Sequence, residues 1–265
     1  MYDFTYLRPN SIDEAASVLS QDDEAKLLAG GMTLLPTMKQ RLASPSQVLD
    51  LSGLKQLNFI RVDGGVVEVG AMTRHADVAA SDELKTALPA LADLAGHIGD
   101  PQVRNRGTLG GSIANNDPSA DYPGAVLALD AEVVTNKRSI PADNFFTGLF
   151  ETALDEDEII TSVRFKRPKR AAYVKFPNPA SRYAVVGAFV AESDDGVRVA
   201  ITGAGPCVFR WSEAEAALGS NMATSALEEL EMAADDMNSD LHATAEYRAH
   251  LVKVMTKRAV EVITA

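Results

Sequence analysis

The spacing of apolar positions changes period several times along the chain, and each change predicts an element. Ser11-Ile12-Asp13-Glu14 has the form of a helix-capping box, and Ile12, Ala15, Ala16, Val18 and Leu19 follow at helical spacing. A helix is therefore expected to about Leu19, stopped by Asp22-Asp23. Residues 25–28 form a short apolar run that enters Gly30-Gly31. A helix from Thr33 or Leu34 to Leu42, with Pro36 in its first turn, and a strand over 47–51 complete a β-α-β lobe. Residues 57–62 and 66–70 flank Asp63-Gly64-Gly65 and read as a hairpin.

Helices are expected over 73–80, 81–88, 89–97 and 123–129, strands over 132–135 and 159–165, and one helical turn over 142–146. The run Asp155-Glu156-Asp157-Glu158 reads as a solvated turn. Lys166-Arg167-Pro168-Lys169-Arg170 marks a boundary, because Pro168 disfavours continued regular structure. Beyond it, 173–176, 184–192, 197–202 and 206–211 read as strands, and 212–218, 224–234 and 244–263 as helices. In the last helix Tyr247, Leu251, Val254, Met255, Ala259 and Val262 are expected to form one buried stripe. The pattern as a whole is α+β. A Lys166–Arg170 boundary divides the chain into 1–170, with lobes of about 1–55 and 56–170, and 171–265.

Composition narrows the chemistry. The net charge of −12 disfavours nucleic acid or an anionic membrane surface as a partner. A single cysteine, Cys207, rules out an iron–sulfur cluster or a Cys-rich zinc site held by this chain alone. The four histidines, His75, His97, His242 and His250, have no metal-ligand spacing and read as ordinary surface or half-buried residues. No metal site is expected. The opening Met1-Tyr2-Asp3-Phe4 has neither a basic region nor an apolar leader, and no run approaches the ~20 apolar residues of a membrane span.

Two separated segments carry the remaining signal. Ala29-Gly30-Gly31-Met32-Thr33 lies between a strand and a helix, where free N–H groups and the helix dipole favour an anion. Thr108-Leu109-Gly110-Gly111-Ser112 has the same ingredients and leads into a run of short polar residues, expected as a loop, that includes Asn115 and Asp121. In an acidic protein, backbone dipoles are suitable phosphate donors, and both loops are expected to close on one pyrophosphate. Asp121 reads equally as a ligand residue and as the N-cap of the helix opened by Pro123. Neither segment is a P-loop, and Gly203-Ala204-Gly205-Pro206 lacks the helix that a dinucleotide fingerprint requires. No nucleophile motif is present and no catalytic residue is assigned, so a bound cofactor would supply the chemistry.

At these residues the chain resembles the FAD-binding medium subunit of molybdenum hydroxylases, of the aerobic carbon monoxide dehydrogenase and xanthine dehydrogenase type. The likeness rests on Phe4-x-Tyr6-x-Arg8-Pro9, Ala29-Gly30-Gly31-x-Thr33-Leu34, Met38-Lys39-x-Arg41-Leu42 and Gly70-Ala71-Met72-Thr73. Its most specific part is Val103-Arg104-Asn105-x-Gly107-Thr108-Leu109-Gly110-Gly111-Ser112 with Asp117-Pro118 and Asp121-x-Pro123. Asp157-Glu158-Ile159-Ile160, the stretch 175–182 and Gly203-x-Gly205-Pro206 to Arg210 extend it nearly to the end.

The resemblance implies a two-lobed FAD-binding domain of the PCMH, vanillyl-alcohol-oxidase-like type, followed by a C-terminal antiparallel sheet with a helix bundle. It implies that Ala29, Gly30, Gly31, Met32 and Thr33, with Thr108, Leu109, Gly110, Gly111 and Ser112, wrap the FAD pyrophosphate through backbone amides. It places Asn115 and Asp121 on phosphate or ribose, and Ile160, Lys175 and Tyr183 near the flavin or its ribityl chain. It further implies a large molybdopterin subunit and a small iron–sulfur subunit as partners, in a dimer of heterotrimers. That complex is expected in the cytoplasm or at the inner face of the membrane. This chain would pass electrons from the clusters through FAD to a quinone, NAD or oxygen. The substrate would be chosen in the large subunit. A self-contained flavin oxidoreductase and a non-catalytic interaction protein that has lost FAD are the alternatives.

Overall fold

The computed structural model describes residues 1–265. Its first lobe contains β1 (Thr5–Leu7), α1 (Ile12–Leu19), β2 (Lys26–Leu28), α2 (Leu34–Lys39) and β3 (Gln47–Asp50). The three strands form a parallel sheet in the order β1-β3-β2. β1 is too short and too exposed to carry a pattern of its own. The capping box forms half as expected: Ser11 Oγ accepts from the Glu14 N–H at 3.1 Å. The reciprocal bond goes one residue further back, from the Asn10 N–H to Glu14 Oε2 at 2.7 Å. α2 stops at Lys39, before the expected Leu42, and Arg41 then takes a left-handed φ of 61°. Ala15, Leu19, Ala25, Leu49 and Leu51 make a small core that Ile159, from much later in the chain, closes.

The second lobe begins with the expected hairpin, β4 (Ile60–Asp63) and β5 (Val66–Gly70). Six helices follow: α3 (His75–Ala80), α4 (Asp82–Ala87), α5 (Pro89–Gly96), α6 (Pro101–Arg104), α7 (Leu109–Asn115) and α8 (Tyr122–Ala128). Then come β6 (Glu132–Thr135), β7 (Ser139–Pro141), the small pair β8 (Phe146–Gly148) and β9 (Glu151–Thr152), and β10 (Ile160–Lys166). An antiparallel sheet runs β4-β5-β10-β6-β7. The helical turn expected over 142–146 is a 3-10 turn over Ala142–Asn144, between β7 and β8.

The acidic run 155–158 differs from its reading as a wholly solvated turn. The Glu158 side chain is fully buried, accepts from Thr135 Oγ1 at 2.7 Å and pairs with Arg138 at 2.8 Å. Hydrogen bonding to Arg138 holds its carboxyl well below the usual carboxylate range, at about 2.

The last part contains β11 (Arg170–Pro177), β12 (Ala184–Ser193), β13 (Gly196–Thr202), β14 (Phe209–Arg210), α9 (Ser212–Ser220) and α10 (Ala245–Thr264). Its strands form one antiparallel sheet in chain order. β12 is buried on both faces. Phe189 and Ala191 join the second-lobe core, whereas Val186, Ala188 and Val190 pack in a separate core with Leu251, Met255 and Ala259 of α10.

The buried face of α10 is turned by one residue from the expected stripe. Arg248, Leu251, Val252, Met255 and Ala259 point inward, while Tyr247 and Val262 are exposed. Arg248 displaces its neighbour because its guanidinium finds partners inside. It donates to Val185 O at 2.6 Å and Gly203 O at 2.9 Å, and pairs with Asp240 at 2.7 Å. The helix expected over 224–234 is only a 3-10 turn, Thr224–Leu227. Glu228, Glu229 and Glu231 interrupt any apolar face there, and Glu228 is drawn to Lys257 of α10 at 2.8 Å.

Candidate cofactor-binding cleft

The two glycine segments, almost 80 positions apart, line one cleft of about 670 Å³. That volume lies within the range of small-molecule and cofactor sites, roughly 300–1,000 Å³. Ala29, Gly30, Gly31, Met32 and Thr33 form one wall, and Thr108, Gly110, Gly111, Ser112 and Asn115 the other. Ile160, Asp121 and Tyr183 also line it. The walls touch. A Cβ on Gly30 would lie 2.2 Å from Arg106 O and 2.7 Å from Gly107 Cα, and one on Gly111 would lie 3.4 Å from Ala29 Cβ. Any side chain at Gly30 would force the two backbones apart.

The first segment is a donor loop. β2 ends at Leu28 and α2 begins at Leu34. None of the five N–H groups from Ala29 to Thr33 donates to an acceptor in the protein. Gly31 supports the turn with φ of +73°. Buried or half-buried N–H groups normally find partners, so this row of free donors at a helix start fits an anionic ligand.

The second segment is not the expected loop. It is the start of α7, capped by Thr108 in extended geometry, with Thr108 Oγ1 accepting from Gly111 N at 3.2 Å. Leu109 and Ile113, four apart, bury one face completely, and Gly110 sits so close to Ala71 that a Cβ would lie 2.6 Å from Ala71 Cβ. Tertiary packing thus overrides the weak helix propensity of Gly-Gly-Ser.

The consequence corrects the expectation of a second amide cradle. Leu109 N donates to Thr73 O, Gly110 N to Ala71 O and Ser112 N to Thr108 O, at 2.9–3.1 Å. With Gly111 N on Thr108 Oγ1, the four amides from 109 to 112 are engaged internally. Leu109 belongs to the core and does not line the cleft. What this wall can offer a ligand is the Thr108 and Ser112 hydroxyls and the Asn115 side chain.

Asp121 and Lys175 also fall differently from expectation. Asp121 is not a side-chain cap of α8. Its buried carboxylate pairs with Lys175 at 2.9 Å and accepts from the Tyr173 hydroxyl, both on β11. Burial raises the Asp121 carboxyl above its ordinary value, and the Lys175 ammonium works against that rise. Lys175 also donates to His97 O at 3.0 Å and to Arg182 O at 2.8 Å. Its three protons are therefore spent on protein acceptors, and it stands behind the cleft wall rather than on it. Tyr183 follows Arg182, whose φ is +63°, and stands 44% exposed at the mouth.

Ile160 reaches the cleft through a bulge. The β10–β6 register shifts between Ile160 and Ser162, and Thr161 in the bulge accepts from Ala71 N at 2.9 Å. The same bulge locks the strand to the residue against which Gly110 packs.

His75, read as ordinary from the sequence, is a cleft residue. It is 4% exposed, and burial, with a contribution from Arg104, pushes the imidazole down to about 4. The Met72-Thr73 step before it carried no signal for this position, since burial of a lone histidine cannot be read from spacing. No group of His, Cys, Asp and Glu side chains could hold a metal, and no helix is long and apolar enough to cross a membrane.

The free donors of 29–33, the close-packed glycines and the adjoining apolar positions fit a dinucleotide with a pyrophosphate. Comparison with known proteins agrees. Residues 2–168 match the family described as the FAD binding domain in molybdopterin dehydrogenase, and residues 171–263 match the CO dehydrogenase flavoprotein C-terminal domain. The chain is 36% identical to the carbon monoxide dehydrogenase medium chain of Hydrogenophaga pseudoflava, covering 97% of this chain and 95% of that one. It is 38% identical to the nicotine 6-hydroxylase medium subunit of Paenarthrobacter nicotinovorans, covering 96% and 95%. A solved structure of the Hydrogenophaga pseudoflava carbon monoxide dehydrogenase, in a form lacking the Mo-pyranopterin moiety, contains a chain that superposes with a TM-score of 0.90 at 36% identity. The match covers 98% of this chain and 97% of that one.

Proposed function

The chain belongs to the FAD-binding flavoprotein family of the molybdopterin dehydrogenases, and from that membership we propose that it is the electron-transfer subunit of a molybdenum hydroxylase. It takes electrons from iron–sulfur clusters in a small partner subunit and passes them through FAD to an external acceptor. A large partner holds molybdopterin and chooses the substrate, and the assembly is a dimer of heterotrimers in the cytoplasm. Residues 1–170 hold the cofactor between lobes of about 1–55 and 56–170, and 171–265 form the C-terminal domain.

The observation that carries the reading is the row of unpartnered N–H groups from Ala29 to Thr33 facing the α7 wall across one cleft. The first wall supplies dipoles for the pyrophosphate without a cationic cluster, which suits a chain of net charge −12. Ser112 and Asn115 extend the polar surface on the second wall. Ile160 and Tyr183 offer apolar area suited to a flavin ring. Asp121, on the cleft lining, pairs with Lys175 one layer back, and the pair fixes the C-terminal sheet against the cleft. Bound FAD accepts and releases electrons singly or in pairs, which lets it join one-electron clusters to a two-electron acceptor. The single cysteine makes partner-held clusters necessary.

The test begins with the visible spectrum of the purified full chain. Flavin absorbance, as isolated or after adding FAD, is expected. Its absence in both cases would remove the reading. Copurification of the tagged chain with a large and a small subunit is expected from native cells. Turnover of an organic substrate by the isolated chain would point instead to a self-contained flavoenzyme.

A further inference from the structure

The junction of the two glycine segments is held from behind by one side chain. A Cβ on Gly30 would collide with Gly107 Cα, and a Cβ on Gly107 would lie 2.5 Å from His75 Nε2 and 2.8 Å from His75 Cδ2. Gly30, Gly107 and the imidazole therefore stack in that order. His75 N also donates to Gly107 O at 3.0 Å, so the ring and its own backbone grip the same residue.

The two ring nitrogens have different surroundings. Nδ1 is fully buried and has no hydrogen-bond partner. The ring packs against Tyr122, 5.3 Å away by centroid, whose hydroxyl is likewise buried and unpartnered. Nε2, on the edge that meets Gly107, is not sealed off in this way, and His75 is a cleft-lining residue. A buried N–H without an acceptor costs more than an unused lone pair, so the favoured neutral tautomer carries its proton on Nε2. The ring is neutral near pH 7 because burial and the nearby Arg104 oppose protonation.

We propose that His75 is a cofactor-binding residue, whose Nε2–H donates to the pyrophosphate on the Gly107 side of the cleft. This rests on the FAD reading above. The second wall spends its amides from 109 to 112 internally. The imidazole gives the Gly107 side of the junction a donor, and it does so without introducing a titrating charge at neutral pH. The same ring sets the spacing of the two backbones, so donor and spacer are one group.

The test is FAD titration of the full-length chain, followed by flavin fluorescence, for the wild type, His75→Phe and His75→Gln. Phe keeps a ring against Gly107 and removes the donor, whereas the Gln amide nitrogen can stand in for Nε2. Loss of one hydrogen bond to a charged group predicts binding about 10- to 100-fold weaker for His75→Phe, with His75→Gln recovering most of it. Equal affinity of His75→Phe and wild type, or equal weakness of both variants, overturns the donor role. A second measurement needs no variant. In wild-type chain labelled with nitrogen-15 at histidine, the His75 Nε2 proton is expected to shift on adding ADP and to stay in place on adding riboflavin. No response to ADP overturns the proposal even if His75→Phe fails to fold. Wild-type chain that binds no FAD would instead defeat the underlying FAD reading.

Discussion

The segments 29–33 and 108–112 look alike as sequence and do different physical work. Each has a glycine pair with hydroxyl or small residues beside it. In the first, glycine frees the backbone: Gly31 adopts φ of +73° and five N–H groups remain unpaired. In the second, glycine removes a side chain so that helix α7 can press on Ala71, and the amides from 109 to 112 are already bonded. One segment offers donors and the other offers a rigid wall. A glycine pair therefore says that the backbone must come close to something, and only the fate of its N–H groups tells whether that something is ligand or protein.

The strongest way to break this comparison is to attack the support of the wall. Lys175→Ala leaves the Asp121 carboxylate buried without its cation, behind the polar end of the second segment. Removing one partner of a buried pair costs about 3–5 kcal/mol. Urea unfolding should show a loss of that size, and a loss below about 1 kcal/mol would mean that the wall does not depend on the pair. Glu158, also a cleft-lining residue, predicts a pH effect of somewhat smaller size. Its folded pKa, about 2, lies below the ordinary carboxylate value, so its contribution is fully present above about pH 4.5 and is lost as pH falls through about 2. The shift corresponds to about 3 kcal/mol at most. Wild type should lose stability relative to Glu158→Gln between about pH 4.5 and 2, and parallel acid curves for the two proteins would remove the claim.

The sequence made the elements legible where one local rule dominates. The Ser11 cap, the Gly64-Gly65 hairpin and the alternating or continuous apolar strands of the C-terminal sheet each follow from neighbours in the chain. Meeting of the two glycine segments was legible only as an expectation that both serve one ligand. Their contact through Gly30 and Gly107 is a tertiary fact. The start of α7 at Thr108 is not legible in the sequence, because its stability comes from Ala71 and from the buried pair Leu109 and Ile113, which propensity does not register. The buried face of α10 lies one residue from its expected position for a related reason. Arg248 looks polar in sequence, yet carbonyls of Val185 and Gly203 accept from its Nη1 inside. His75, Asp121 and Lys175 share that limit, since a polar residue's partner more than 40 positions away leaves no periodic trace.

Smaller substitutions sharpen the contrast. Gly30→Ala and Gly110→Ala each place a methyl within 2.6 Å of fixed atoms, and each should destabilise by about 1–3 kcal/mol. The two should separate in FAD affinity. Gly30→Ala displaces the donor loop from Gly107 and is expected to weaken binding well beyond its stability cost, whereas Gly110→Ala moves a wall whose amides are already engaged. Matched losses of affinity in both variants would erase the distinction between donor loop and wall.

The smallest expected effect is the most discriminating control. Gly65 belongs to a glycine pair as conspicuous as the other two, at the tip of the β4–β5 hairpin. A Cβ there meets nothing within 4 Å, and Gly65, unlike its neighbour Gly64, does not occupy the left-handed region. Gly65→Ala should therefore change stability by no more than about 0.5 kcal/mol, and in the stabilising direction if the unfolded chain loses entropy. FAD affinity should be unchanged, because the hairpin tip does not line the cleft. If Gly65→Ala behaved like Gly30→Ala, glycine content itself would be limiting the fold, and close backbone approach would no longer explain why the other two pairs matter.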